Sequence, residues 1–348
     1  MRAPGLHATR AEVMSQVVHG DRVVEVEVQD LVLPADGDEP PLAVERTQLA
    51  VERSGVRPPV LLIHGFAQNR YTWRIQGRSM SAALAEAGFD VYNLELRGHG
   101  RSRELRPENA TSFDDYVRDG LRVVQSIATA GRAPFVVGHS LGGAVGVGVA
   151  TQAPLAGLIH LAGIYTFASQ NRTLRAVARA TLKMESALRG SRLRLSTGLA
   201  GEILGQLYSV TEVAGYGFPI RGWVPESIER PLLEERLARG FDWTSIEVWL
   251  QMARWAQGER FAYREAWAGT DVPLLVAYGD DDPLVREGDA GACFDESGSA
   301  DKELQVFDAF HHEVHWGHVD LILGKRAPDH VWPRLVQWMG DRIPPLTP

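Results

Sequence analysis

The 348 residues are 45% hydrophobic, enough to bury a large core as one enlarged α/β domain or as two domains. The formal net charge is −8 and the 36 Lys and Arg residues are dispersed, which argues against nucleic acid as a partner and against an anionic-lipid surface. A single cysteine, Cys293, excludes an intrachain disulfide and a cysteine-rich metal site. Residues 1–20 have no apolar core followed by small cleavage residues, and no apolar run reaches the roughly 18 to 20 residues of a membrane span, so a cytoplasmic location is expected.

Polar and apolar residues alternate over 21–28, within a stretch from Val17 to Leu33, as in a half-buried strand. A turn over 34–41 and a second strand-like stretch over 42–51 predict antiparallel strands at a sheet edge. The continuous apolar run Val60-Leu61-Leu62-Ile63 suits a parallel strand covered on both faces, and it runs into His64-Gly65-Phe66. Residues 78–87 have helical character and stop at Gly88, a good C′ residue. The next strand spans 89–94 and exits through Arg97-Gly98-His99-Gly100-Arg101-Ser102, where His99 reads best as a loop-packing histidine. Ser112 is the N-cap expected for a helix through Ala128, with Asp114 and Asp115 in its first turn.

Residues 133–137 then form a short apolar strand ahead of Gly138-His139-Ser140-Leu141-Gly142-Gly143, and 144–150 are small and apolar, as in a helix packed tightly on a sheet. Gly138-x-Ser140-x-Gly142 has the spacing of a nucleophile elbow, a strand-to-helix turn whose glycines let strand and helix approach while the serine is held at the tip. His64-Gly65-Phe66 fits the separate loop that an acyl-transfer site needs for a second oxyanion donor. After a strand over 158–161, residues 165–269 show no strand-like alternation, and Gly and Pro break the segment at 215–225. Such an insertion would lie over the carboxyl ends of the sheet as a helical cap. Trp249, Met252 and Trp255, with Trp243 and Ile246 before them, fall near one helical face and read as packing residues or as an aromatic wall.

Residues 273–278 return as a buried strand ending in Gly279-Asp280-Asp281-Asp282-Pro283, and 304–307 form the last strand. His311, His312, His315 and His318 follow, but Trp316-Gly317 breaks the i, i+4 spacing of a two-histidine zinc helix, so no metal and no cofactor is expected. Residues 331–339 close the chain as an amphipathic helix. Three loops at strand ends thus offer a serine, a carboxylate and a histidine, in that order.

On His64-Gly65-Phe66, Arg97-Gly98-His99-Gly100-x-Ser102, Gly138-His139-Ser140-x-Gly142-Gly143, Gly279-x-x-Asp282 and Gly317-His318, the chain resembles the α/β-hydrolase superfamily over 60–164 and 272–339. Residues 84–92, 112–116 and His318-Val319-Asp320-Leu321-Ile322-Leu323-Gly324 look most like its acid-lipase and lysosomal-lipase group. Gly98-His99-Gly100 and Gly142-Gly143 are instead the general hydrolase form, and Glu95 stands where that group commonly has Asp. The resemblance implies an α/β-hydrolase fold, a mostly parallel, doubly covered sheet. Its core covers 1–164 and 270–348, and its helical cap or lid covers 165–269.

By position it implies Ser140 as nucleophile, His318 as general base and then acid, Asp282 rather than Asp280 or Asp281 as the orienting carboxylate, and the Phe66 and Leu141 N–H groups as the oxyanion hole. His64, Trp243, Trp249 and Trp255 are the substrate-pocket candidates. The implied activity is lipase-like or carboxylesterase-like cleavage of a small-molecule, apolar ester. An acyltransferase or thioesterase on the same triad, or a non-catalytic binding module on the same fold, stays open. An epoxide hydrolase or haloalkane dehalogenase would carry Asp at the elbow tip, so Ser140 argues against both. Arg172, Arg175, Arg179 and Arg192 leave an anionic substrate open, although solvated helices explain them more simply.

Overall fold

The computed structural model describes residues 5–51, 58–128, 132–167, 171–186, 195–196 and 222–343. Arg192 and residues 215–221 of the expected break lie outside them. Nine strands form one sheet: β1 (His7–His19), β2 (Arg22–Leu33), β3 (Leu42–Leu49), β4 (Pro59–Ile63), β5 (Asp90–Glu95), β6 (Phe135–His139), β7 (Gly157–Leu161), β8 (Leu274–Gly279) and β9 (Lys302–Phe307). Their spatial order is β1-β2-β3-β5-β4-β6-β7-β8-β9. Pairs from β1 to β5 are antiparallel, and those from β5 through β9 are parallel.

The apolar runs alternate between two cores. Leu61, Ile63, Val136, Leu158, Leu274 and Val276 face one side, under α3 (Phe113–Ile127), α4 (Leu141–Ala150) and α9 (Glu287–Glu296). Val60, Leu62, Phe135, Val137, Ile159, Leu161, Leu275 and Ala277 face the other, under α1 (Met80–Glu86), α11 (Asp320–Leu323) and α12 (Ala327–Gly340). A side-chain period of two with both faces buried favours apolar residues at nearly every position, as in β4 and β8, with His160 of β7 a buried exception.

The edge differs from the sequence reading in one respect. The hairpin turn falls at Gly20, with φ 55°, and a separate 13-residue strand, β1, precedes it. Residues 7–13 of β1 are exposed, so no buried face imposed an apolar alternation on them.

Register brings the loops of the site to one level. Ile63 pairs with Gly138, His139 with Leu161, Leu161 with Ala277, and Gly279 with Phe307. The segments leaving β4, β6 and β8 therefore emerge side by side at the carboxyl end of the sheet. Between β7 and β8 the described residues form α5 (Arg172–Lys183), α6 (Arg230–Arg239), α7 (Ile246–Ala256) and α8 (Arg264–Trp267). A two-residue ladder pairs Leu195–Ser196 with Trp243–Thr244, and an isolated bridge joins Phe241 to Gln68, in a segment without strand signals.

Candidate active site

Ser140 sits between β6 and α4 with φ 56° and ψ −121°, a region that L residues other than glycine rarely adopt. The surrounding glycines are steric necessities. A Cβ at Gly138 would lie 2.1 Å from the Gly142 carbonyl oxygen, and one at Gly142 would lie 2.1 Å from that of Ile63. The turn is held by Ser140 N–H donating to Leu161 O at 3.2 Å and by Ile164 N–H donating to Ser140 O at 3.0 Å. Ser140 is thereby presented at the start of α4, where unpaired N–H groups and the positive end of the helix dipole collect.

After β8 the three acidic residues part company. Asp282 is 4% exposed; its Oδ1 accepts from the Leu284 and Val285 N–H groups at 2.7 and 3.0 Å, and its Oδ2 faces His318 Nδ1 at 2.7 Å. Asp280 turns to the surface, with His315 Nδ1 2.7 Å away and the Trp316 N–H donating at 2.9 Å. Because a carboxylate can only accept, the proton on His318 lies on Nδ1, leaving Nε2 as a base. That Nε2 is buried and unpartnered. A Cβ at Gly279 would come within 2.2 Å of the Trp316 carbonyl, so glycine permits the close approach of the two loops carrying Asp282 and His318.

The loop after β4 abuts the elbow: a Cβ at Gly65 would lie 3.0 Å from Ser140 Cβ. Phe66 is half-buried, and its ring packs on Trp249 with centroids 5.4 Å apart. His64 is fully buried and differs from the pocket wall expected of it. Its Nε2 accepts from the Leu96 N–H at 3.2 Å and its Nδ1 donates to Gly65 O at 2.9 Å, so the ring braces the backbone of two loops. Burial first, then repulsion from His99, pushes its pKa well below the usual range and keeps it neutral. His99 is likewise buried, its Nδ1 on Arg97 O at 3.0 Å, a loop-packing histidine.

The tryptophans separate. Trp249 adjoins Phe66 and hydrogen-bonds through Nε1 to Thr181 Oγ1 at 3.3 Å. Trp255 is buried among Phe113, Phe167 and Phe261, a core residue rather than a site wall. Trp243 is exposed and borders a cleft with Asn69, Tyr71, Gly100 and Arg103. His311 pairs with Asp308, and among the described residues no group of three or more His, Cys, Asp or Glu could hold a metal ion. No helix among them is long and apolar enough to cross a membrane.

Several polar residues that the sequence reading passed over are built into the site. His139 Nε2 lies 3.0 Å from the His318 carbonyl oxygen. Asp320, fully buried, accepts from Gly317 N–H at 2.7 Å, Val224 N–H at 2.9 Å and Ser227 Oγ at 2.7 Å, tying the histidine loop to residues 222–227. The 64–72 loop is tied to the end of α6: Asn69 Nδ2 donates to Arg239 O and Asp242 N–H to Ala67 O, both at 2.8 Å, and Gln68 bridges Phe241. Arg236 is 3% exposed; burial lowers its pKa to about 10, and Nη1 has no hydrogen-bond partner. Gln68 and Asn69 follow His64-Gly65-Phe66 after Ala67, but nothing in sequence marks what they bind. Nothing in sequence marks Asp320 or Arg236 as buried.

A strained serine at a strand-to-helix turn, with a buried Asp–His pair joined through His139 to the same turn at the carboxyl end of a doubly covered sheet, defines the α/β-hydrolase class. Residues 58–319 match the model of the alpha/beta hydrolase fold family, and the chain belongs to that family. A stretch of 88 residues is 39% identical to epoxide hydrolase B of Mycobacterium tuberculosis, covering 25% of this chain and only 23% of that protein. Human lipase member K is 21% identical over 84% of this chain and 82% of its own. Among solved structures, a soluble variant of monoglyceride lipase from Saccharomyces cerevisiae, in complex with a substrate analogue, matches with a TM-score of 0.61 at 18% identity, covering 97% of this chain and 98% of that one.

Proposed function

We propose that the protein is a serine hydrolase that cleaves an apolar, small-molecule carboxylic ester through an acyl-enzyme. The observation that carries this reading is His318, with Nδ1 on the Asp282 carboxylate at 2.7 Å and a buried, unpartnered Nε2, its backbone carbonyl tied to His139, the residue before the strained Ser140. In the proposed cycle Ser140 Oγ attacks the ester carbonyl as His318 Nε2 takes its proton. The imidazolium, held by Asp282, then protonates the departing alcohol, and water repeats the sequence to release the acid. The Phe66 and Leu141 N–H groups are assigned to the oxyanion. Gly65 against Ser140 and Leu141 at the start of α4 support that assignment.

Residues 165–269 are read as a cap on a core of 1–164 and 270–348, supported by the ties of 222–227 and 239–242 to the loops of the site. Phe66 against Trp249 supports an apolar acyl or alcohol site. The likeness to lipase member K and to a monoglyceride lipase points the same way, while Ser140 argues against the epoxide chemistry in the name of the other relative. A cytoplasmic location belongs to the same proposal, supported by the lone, buried Cys293.

The test profiles esters from acetate to palmitate, with amides and thioesters, and repeats the best ester in the presence of competing alcohols. A rise of kcat/KM with acyl length, absent from amides, is the expected result. A preference for charged or acetyl-sized substrates overturns the apolar pocket, preference for thioesters makes the enzyme a thioesterase, and predominant transfer to the added alcohol makes it an acyltransferase.

A further inference from the structure

Gln68 stands two residues beyond Phe66 and is 7% exposed. Its carboxamide has one workable orientation. The Gly65 N–H can only donate, so the oxygen, Oε1, must face it, at 3.3 Å. The same oxygen is 2.9 Å from Thr72 Oγ1, which itself lies 3.5 Å from Arg236 Nη2. A guanidinium has no acceptor, so Thr72 receives from Arg236 and gives its own proton to Gln68. Oε1 is thus occupied twice, and the amide nitrogen is turned the other way.

Gly65 shows what the carboxamide flanks. The place a Cβ would take there lies 3.2 Å from both Cδ and Nε2 of Gln68 and 3.0 Å from Ser140 Cβ. Amide nitrogen and nucleophile therefore border one spot, which only glycine leaves open. No other described residue hydrogen-bonds Nε2, although both Oε1 contacts are in place.

We propose that Gln68 is a further catalytic residue, whose Nε2–H donates to the ester carbonyl oxygen as it gains charge, with Thr72 and Arg236 as positioning residues. The assignment rests on the ester-cleavage reading above. No covalent bond to Gln68 forms or breaks; it supplies a dipole already oriented in the free enzyme, a kind of donor whose loss costs roughly 10²–10³ in kcat elsewhere.

The experiment compares wild type with Gln68→Glu, Gln68→Met and Thr72→Val. It measures kcat and KM on p-nitrophenyl butyrate and the second-order rate at which a fluorophosphonate labels Ser140, since the phosphoryl oxygen would enter the same position. Gln68→Glu keeps shape and acceptor and loses the donor, while Gln68→Met removes the polar group. Melting temperatures separate folded variants from damaged ones, and either folded Gln68 variant suffices. Both are expected to lose roughly 10- to 100-fold in kcat and in labelling rate with KM within about threefold, and Thr72→Val a smaller part of each. Rates within about threefold of wild type, or a loss confined to KM, overturn the assignment. If wild type turns over no ester yet labels at Ser140, the ester reading fails and the labelling rates still decide on Gln68. No labelling at Ser140 overturns both.

Discussion

His139, the residue before the candidate nucleophile, donates its Nε2–H to the carbonyl oxygen of His318 across 3.0 Å, with the two rings 4.6 Å apart. The elbow and the histidine loop are thus joined by a bond in which neither Ser140 nor the His318 ring takes part. Burial, then repulsion from His318, holds the His139 pKa well below the usual range, so the ring stays neutral and keeps this one arrangement. His139→Leu removes the bond at similar bulk. We expect kcat on p-nitrophenyl butyrate to fall by roughly tenfold or more with little change in KM, because a misplaced base affects the reaction more than binding. An unchanged kcat would reduce His139 to packing.

Ser140→Ala should remove activity to below roughly a hundredth of the wild-type kcat/KM, with the circular dichroism spectrum unchanged. Asp282→Asn should lower kcat by about 10⁴-fold, since an amide can stabilise the wrong imidazole tautomer. Asp280→Asn should leave kcat nearly intact, because its contacts are with His315 and Trp316. A large loss at Asp280 with none at Asp282 would reverse the assignment.

Asp320 makes stability depend on pH. Burial raises its carboxyl to about 6, against three hydrogen bonds that favour the charged form and with Asp282 adding to the rise. A folded-state value above the unfolded one, about 3.9, means that the native state binds the proton more tightly. The contribution is therefore fully present below about pH 4 and is lost as pH rises through 6. In Asp320→Asn, the amide oxygen can still accept from Gly317 and Val224 and the nitrogen can donate to Ser227. The variant should exceed wild type by on the order of 2–3 kcal/mol at pH 8, with the gap closing near pH 4. Melting temperatures across that range check it; a variant less stable at pH 8 would count against it.

Arg97, in the loop after β5, and Asp119, on α3, form a buried pair. Asp119 Oδ1 takes the guanidinium at 2.6 Å and Oδ2 the Arg97 backbone N–H at 2.9 Å, and both residues are at most 5% exposed. Asp119→Ala would leave a buried guanidinium short of its main partner. Urea unfolding should show a loss of roughly 3–5 kcal/mol, far more than at an exposed ion pair such as Arg230–Glu234. A loss under about 1 kcal/mol would mean that water or Glu39 replaces Asp119.

The parallel strands were legible because burial on both faces leaves 60–63 and 274–278 almost wholly apolar, and the elbow because close backbone approach admits only glycine at 138 and 142. The exposed half of β1 was not, for lack of any buried face. His64 shows a different limit. A histidine after a strand reads equally well as a pocket wall or a brace, and only the two backbone groups on its nitrogens decide. Asp320 and Gln68 were out of reach because their partners, Val224 and Ser227 for one and Thr72 for the other, depend on how distant loops dock.

The docking of residues 222–242 also bears on engineering. Asp320 holds Val224 and Ser227, Asn69 holds the Arg239 carbonyl, and Ala67 receives the Asp242 N–H, so this stretch is stitched to both loops that flank Ser140. A chimera that imports another protein's insertion to change substrate range must keep 222–242 from this chain, with the downstream junction placed after Asp242. Cutting earlier would discard the seams along which the host sheet and its loops were tailored to each other.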